Sequence, residues 1–311
     1  MVNLAVRSIG VAAGLVADRA WGEPPLRPHP VAVFGSAMTL VEDGIYRDRR
    51  SAGVAHAVIG IGLGALVGRA MRSTATATYL AVAGRALGDA AESVHEALVV
   101  DDLDEARVRL QALVGRNTDE LSESEVVRAV VESVAENTVD AVVAPALWAG
   151  VAGAPGVLGH RAVNTLDAMV GYRTPRYLRF GWASARLDDA AAWVPARVAA
   201  LLVMVVRPRE AGAVLRTVRR DARAHPSPNG GVVEAAFAAA LGVRLGGEST
   251  YGACLEQRPW LGAGATPTVG DIDRAIRLSR DVGLALAGSF AAAPAAVWLV
   301  RHLAARGGRH S

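Results

Sequence analysis

The chain has 311 residues, 52% hydrophobic and 20% charged, with a mean hydropathy of +0.27; soluble domains sit near about 45–50% apolar and about 25% charged, so the balance points to a polytopic membrane protein or a very alanine-rich helical one. Every one of its 33 basic residues is arginine, which excludes a Schiff-base lysine and a Walker-type phosphate loop and leaves phosphate binding to arginine, helix N-termini or metal. A net charge of +3 with the arginines scattered among acids argues against nucleic acid, and a single cysteine, Cys254, excludes an intramolecular disulfide and a cysteine-based zinc site.

The opening run MVNLAVRSIGVAAGLVAD is apolar, is interrupted by Arg7 and lacks a small-residue cleavage site. It reads as a retained first membrane segment, short for a full span. Pro24, Pro25, Pro28 and Pro30 make the next stretch a rigid, extended loop. Residues 31–50 read as an amphipathic segment closing on Arg47, Arg49 and Arg50, residues 54–71 as an apolar span, and residues 74–87 as a weaker, re-entrant one. From Gly88 acids and apolar residues interleave at helical spacing, so 88–138 is expected to be an extramembrane helical hairpin. Within it, DDLDEARVRLQALVG has an acidic first turn and a basic later one, as the helix dipole favours, with Gly115 as the expected C-terminal cap.

Glu132, Glu136 and Asp140 then stand at i, i+4 and i+8, on one face of a helix. Such a face is ordinarily a solvated surface. Here an apolar run without charge extends from Ala141 to His160, and charge at the mouth of such a run marks a functional site. Asn164, Thr165, Asp167, Arg173, Ser184, Arg186, Asp188 and Asp189 come next, between apolar stretches. Spans at 139–158, 188–208 and 282–300 bring the total to about five, with 209–281 expected as an extramembrane polar loop region that holds a helix-like segment at 232–243 and the glycine-rich loop YGACLEQRPWLGAGATP. The expected fold is all-α, a polytopic integral membrane protein forming a single membrane-embedded domain over 1–311. Basic residues do not fix its orientation, because the arginines from Arg207 onward and those of the tail, Arg301, Arg306 and Arg309, fall on opposite sides of the last span. Clustered carboxylates favour Mg²⁺ or Ca²⁺, and Mg²⁺ so held typically serves substrate phosphates, while arginines clamp phosphate or carboxylate.

The runs DRAWGEPPLRPHPV, GDAAESVHEAL, LVGRNTDEL, ESVAENTVDAVVAPALW, AVNTLDAMVGYR, GWASARLDD, HPSPNGG and ALGVRLGG closely resemble, over almost the whole chain, the adenosylcobinamide-phosphate synthase family of cobalamin biosynthesis. The resemblance implies a multi-pass protein of the cytoplasmic membrane that joins (R)-1-aminopropan-2-ol, or its O-phosphate, to a side-chain carboxylate of adenosylcobyric acid as an amide. A carboxylate and an amine do not condense in water without activation, so ATP is the expected co-substrate, acting through an acyl phosphate, and Mg²⁺ the expected cofactor. Carried onto this chain, the implied catalytic residues are Glu132, Glu136, Asn137, Asp140, Asp167, Asp188 and Asp189, with Glu132, Glu136, Asp140 and Asp167 as metal ligands. Arg116, Asn164, Thr165, Arg173, Ser184 and Arg186 are the implied substrate-binding residues. Arg186 and Asp189, at i and i+3, also fit a helix-surface ion pair worth under about 1 kcal/mol. The chain departs from the family pattern at Asn117, Arg173 and Ala32, where aspartate, lysine and arginine are more usual. Expected partners are the corrinoid, the amine, the lipid bilayer and other enzymes of cobalamin biosynthesis, with no nucleic acid. The alternative is a corrinoid transporter or binding protein without bond chemistry, against which stand the lack of an internal repeat and the placement of polar clusters at span ends.

Overall fold

The computed structural model describes residues 2–115, 117–251 and 254–307; Arg116, expected to bind substrate, lies outside them. Four helical runs are long and apolar enough to cross a membrane, at Arg50–Met71, Glu123–Val170, Trp182–Val206 and Val269–Trp298, and they make the chain a polytopic helical membrane protein. The first helix, α1 (Val2–Trp21), counted as a fifth span from the sequence, is not among the four: Arg7, Asp18 and Arg19 break its apolar run. The segment read as a re-entrant span is two helices, α4 (Thr74–Ala81) and α5 (Gly84–Val99), separated by the non-helical residues Val82 and Ala83.

Local signals set most helix starts. Pro30 opens α2 (Pro30–Ile45), and the His29 side chain accepts a hydrogen bond from the Val31 N–H. Ser122 and Glu125 form a reciprocal capping box on α7 (Glu123–Thr138). Asp102 caps α6 (Leu103–Leu110) by accepting from the Glu105 N–H at 3.0 Å. That helix stops five residues before Gly115, the cap expected from sequence. The returning chain takes over its last turn: the Thr118 hydroxyl donates to the Arg107 carbonyl at 2.8 Å, and Arg107 Nε donates to the Leu121 carbonyl at 2.8 Å.

Close packing of α3 (Arg50–Met71) against α8 (Ala144–Val170) depends on small residues four apart. A Cβ at Gly64 would stand 2.6 Å from the Leu158 carbonyl oxygen, and one at Gly68 2.3 Å from that of Ala154. Two prolines inside helices free carbonyls, and each is met by a side chain from another helix. Pro155 cannot bond the Val151 carbonyl, and Arg7 Nη1 reaches it from α1 at 3.0 Å, beside a kink where Gly153 has φ +67°. Pro195, inside α10 (Trp182–Val206), cannot bond the Ala191 carbonyl, and the Trp148 indole N–H donates to it at 3.1 Å.

The region 209–281 contains regular structure beyond the one helix-like segment expected. It folds into α11 (Ala211–Asp221), a buried α12 (Gly230–Leu241), an antiparallel hairpin of β1 (Leu245–Tyr251) and β2 (Cys254–Leu261), and the start of α13 (Val269–Gly307). Of the expected glycine-rich loop, 254–261 form strand β2, while 252–253 lie outside the described residues; the hairpin carries a bulge between Leu245 and Gly247. Asp221 ties this hairpin down by accepting from the Gly262 N–H at 2.9 Å while pairing with Arg220. One hydrophobic core runs through α5, α7, α8, α10, α12 and α13.

If the indole replaces the bond that Pro195 forfeits, Trp148→Phe lowers stability by about 1 kcal/mol. The loss is expected to shrink by more than half in a Pro195→Ala background, where the backbone N–H returns, and thermal unfolding of the four proteins in detergent measures it; equal losses in both backgrounds would refute the pairing. The hydrogen bond from Arg220, then the one from the Gly262 N–H, holds the Asp221 carboxyl below the usual carboxylate range. A depressed carboxylate contributes stability above its unfolded pKa and loses it as pH falls through the folded one. Asp221→Asn is therefore expected to cost about 1 kcal/mol at pH 7, and unfolding midpoints of the two proteins should converge as pH drops below about 4.

Candidate functional site

Helix α7 presents Glu132 and Glu136 one turn apart, and continues without a break into a π-helical turn, Val139–Val143, that carries Asp140. The wider turn adds a residue to the helical repeat and so resets the face onto which the next side chains project. The backbone it disturbs is satisfied from outside, since the Ala83 N–H donates to the Ala141 carbonyl at 3.0 Å. Asp140 interacts electrostatically with Asp188, Glu136 and Asp167, and with one cation, Arg161. Asn164 Nδ2 donates to Asp188 Oδ1 at 3.5 Å, linking the end of α8 to the start of α10. Asp189 faces Arg186 and Arg173.

At the other end of the row, the ligand atoms of Glu136, His225 and Glu234 lie within 4.8 Å of one another. Glu234 is fully buried in α12. Burial first, then the neighbouring charges of Glu136 and Glu132, pushes its carboxyl well above the usual carboxylate range. Ser227 shapes the approach to α12: its hydroxyl accepts from the Gly230 N–H at 3.0 Å, and its own N–H donates to His225 Nδ1 at 3.1 Å. Asn229 locks the same loop to α10, donating to the Asp189 carbonyl at 2.8 Å and accepting from Arg197 Nη1 at 3.0 Å.

A cavity of about 560 Å³ adjoins these residues, in the size range of small-molecule sites. Arg173, Arg186, Arg197 and Arg223 line it with Tyr172, Trp182, Asp189 and His225. Four guanidinium groups against one carboxylate suit an anion with several oxygens, phosphate above all.

The structure thus brings together Glu136, Asp140, Asn164, Asp167, Asp188 and Asp189 of the expected residues, and sets Arg173 and Arg186 on the cavity wall. Three others have other work. Glu132 Oε1 accepts from the Gly246 N–H at 2.7 Å and lies 3.9 Å from Arg128 Nε, which anchors the β-hairpin to α7. Asn137 Nδ2 donates to the Ser133 carbonyl and hydroxyl, and the Thr165 hydroxyl donates to the Arg161 carbonyl, so both side chains turn back onto their own helices. Ser184 is buried, and its hydroxyl has no hydrogen-bond partner among the described residues. Sequence reasoning missed Arg161, Arg197, His225, Asn229 and Glu234. The motif HPSPNGG contains His225 and Asn229 and carried part of the family resemblance, which was a signal for both; Glu234 stands in a helix whose composition reads as plain core.

Fold and site together define a polytopic helical membrane protein with a partly buried carboxylate row beside an arginine-lined cavity. A family model described as "CobD/Cbib protein" matches residues 11–279, and the chain belongs to that family. It is 48% identical over 289 residues to "Cobalamin biosynthesis protein CobD" of Mycobacterium tuberculosis (strain ATCC 25618 / H37Rv), covering 89% of this chain and 92% of that one. Proteins of the same name from Geobacter metallireducens and Halalkalibacterium halodurans are 42% identical over 260 residues and 38% identical over 305, covering 78% and 88% of this chain and 82% and 92% of theirs. No solved structure matches the chain.

The two ends of the row predict opposite stability effects. Asp140→Asn removes one of several facing like charges and is expected to stabilise the chelator-treated protein by on the order of 1 kcal/mol. Glu132→Gln takes a charged acceptor from Gly246 and Arg128 and is expected to destabilise it by a similar amount. Thermal unfolding in one detergent compares them; a loss of stability in Asp140→Asn would show that its charge is compensated within the fold.

Proposed function

We propose that this chain, acting in cobalamin biosynthesis in the cytoplasmic membrane, uses ATP to join aminopropanol or its phosphate to a carboxylate of adenosylcobyric acid. The observation that carries the reading is the arginine-lined cavity set against the carboxylate row, with Asp189 common to both. A corrinoid carboxylate oxygen attacks the γ-phosphorus of ATP, and ADP leaves. The amine nitrogen then attacks the acyl carbon of the mixed anhydride, forming the C–N bond as inorganic phosphate departs.

Arg173 and Arg186 hold phosphate oxygens on the cavity wall, where paired N–H donors bind them in a fixed orientation. Asp188 or Asp189 accepts the proton that the attacking ammonium must lose. Asn229, by holding both Arg197 and the Asp189 backbone, keeps the proton acceptor and a cavity cation in fixed relation. The acid row fits a hard divalent ion, since its oxygen donors outnumber the cation among them. Glu136, Asp140 and Asp167 would hold Mg²⁺, which neutralises charge on the nucleotide phosphates when bound.

Detergent-solubilised protein given adenosylcobyric acid, aminopropanol phosphate, ATP and Mg²⁺ is expected to yield cobinamide phosphate and one ADP per amide, read by mass spectrometry. EDTA should abolish the product, and Asp140→Asn should lower turnover at least about 100-fold while leaving membrane insertion intact. Corrinoid binding with no amide from either amine would sink the ligase reading, and full activity in Asp140→Asn would remove that residue from the metal set.

A further inference from the structure

The group formed by Glu136, His225 and Glu234 is set apart from the rest of the acid row by a nitrogen donor and by burial. Its members come from three places: the inner face of α7, the loop before α12, and the first turns of α12 itself. His225 Nε2 lies 3.3 Å from Glu234 Oε1. Both side chains are almost wholly buried, at 2% and 1% relative exposure, where an uncompensated carboxylate costs several kcal/mol.

Two observations point to a ligand there. Both carboxylate oxygens of Glu234 are sealed from solvent and find no backbone or hydroxyl donor among the described residues; the groups set against them are the other two members of the group, Glu136 and His225, with Arg258 as the attracting cation. Native proteins seldom leave such atoms without a partner unless an ion or water completes the site. Gly230 also leaves open the space these groups share: a Cβ there would come 2.6 Å from Glu136 Oε1, 3.2 Å from Glu234 Oε1 and 3.2 Å from His225 Cε1.

The backbone around His225 also admits a metal-bound imidazole. His225 Nδ1 lies 3.2 Å from the Ser227 carbonyl oxygen. That nitrogen accepts from the Ser227 N–H in one tautomer; in the other, with the proton on Nδ1, it donates to the carbonyl instead and Nε2 presents its lone pair toward the two glutamates, as ligating histidines commonly do. We propose that Glu136, His225 and Glu234 hold a divalent first-row transition metal ion of the Mn²⁺ or Zn²⁺ class. An imidazole with two carboxylates suits these ions better than Mg²⁺, which prefers all-oxygen surroundings. The ion clamps α12 to α7 beside the cavity and fixes His225, which lines it. The site shares Glu136 with the acid row of the ligase reading, but its test is separate, because metal binding with an imidazole donor is measured without turnover.

The test uses the full chain in detergent, stripped with chelator and titrated with Mn²⁺ while electron paramagnetic resonance reports the free ion. About one tightly held ion per chain is expected, together with nitrogen modulation from a single imidazole in the spin-echo spectrum of the bound Mn²⁺. Glu234→Gln, His225→Gln and Gly230→Ala should each weaken binding at least about tenfold, whereas Asp188→Asn, outside the group, should not. The proposal is overturned if the wild-type protein holds no ion tightly, if the bound ion shows no nitrogen modulation, or if Asp188→Asn removes the ion while Glu234→Gln keeps it. The spin-echo measurement needs the wild-type protein alone, so it decides the matter even where a variant fails to fold.

Discussion

Carboxylates gathered inside an apolar bundle are the constraint that the other features answer to. Transferring a carboxylate from water into a protein interior costs several kcal/mol, and neighbours of the same sign add to that. Among the described residues, Asp140, Asp167, Asp188 and Glu136 have one arginine, Arg161, interacting with Asp140 from within the bundle, and Asn164 bonding Asp188. Helix α12 starts beside Glu136, so the positive end of its dipole favours the negative charge there. These offsets are partial. A fold that keeps such a row gives up stability for a site, which is the usual trade where activity needs preorganised charge.

Holding the row in place requires a stiff frame, and the frame is built by satisfying backbone groups that prolines expose. Pro155 and Pro195 each free a helix carbonyl, and each carbonyl is bonded by a side chain from a different helix. The devices differ in chemistry, a guanidinium from α1 and an indole from α8, but their effect is the same. A kinked helix that would otherwise flex becomes cross-linked to its neighbour, and α8 and α10, which carry Asp167 and Asp188, are fixed relative to each other. The glycine stripe of α3 does this from the other side, since the backbones of α3 and α8 touch where any side chain would clash.

How much was legible in the sequence depended on the range of the interactions concerned. The acid face of α7 could be read because helical geometry alone brings i and i+4 together, and caps at His29, Asp102 and Ser122 could be read because their partners lie within three residues. The Glu136, His225 and Glu234 group could not, because α7 and α12 meet only through the tertiary fold. The β-hairpin was hidden for a similar reason. Gly246 and Gly247 read as loop, yet their positive φ values form a bulge that Glu132 pins from α7. The end of α6 was misplaced at Gly115 because Thr118 and Arg107 bond across the turn, which no local pattern reports.

The site also separates charge by sign. Carboxylates line the helix interior, while arginines line the cavity, and Asp189 and His225 stand on the border between them. A uniformly positive pocket would bind a polyanion tightly but would hold an incoming ammonium away and offer nothing to take its proton. A uniformly negative one would do the reverse. The proposed amide formation from a phosphate donor, a carboxylate and an amine would need both environments close together, each desolvated enough to act strongly on its own partner. Asn229 meets that need by bonding Arg197 with one end of its amide and the Asp189 carbonyl with the other. Its neutral side chain ties a cavity cation to the backbone of the residue that carries the carboxylate, whose own charge faces Arg186 and Arg173.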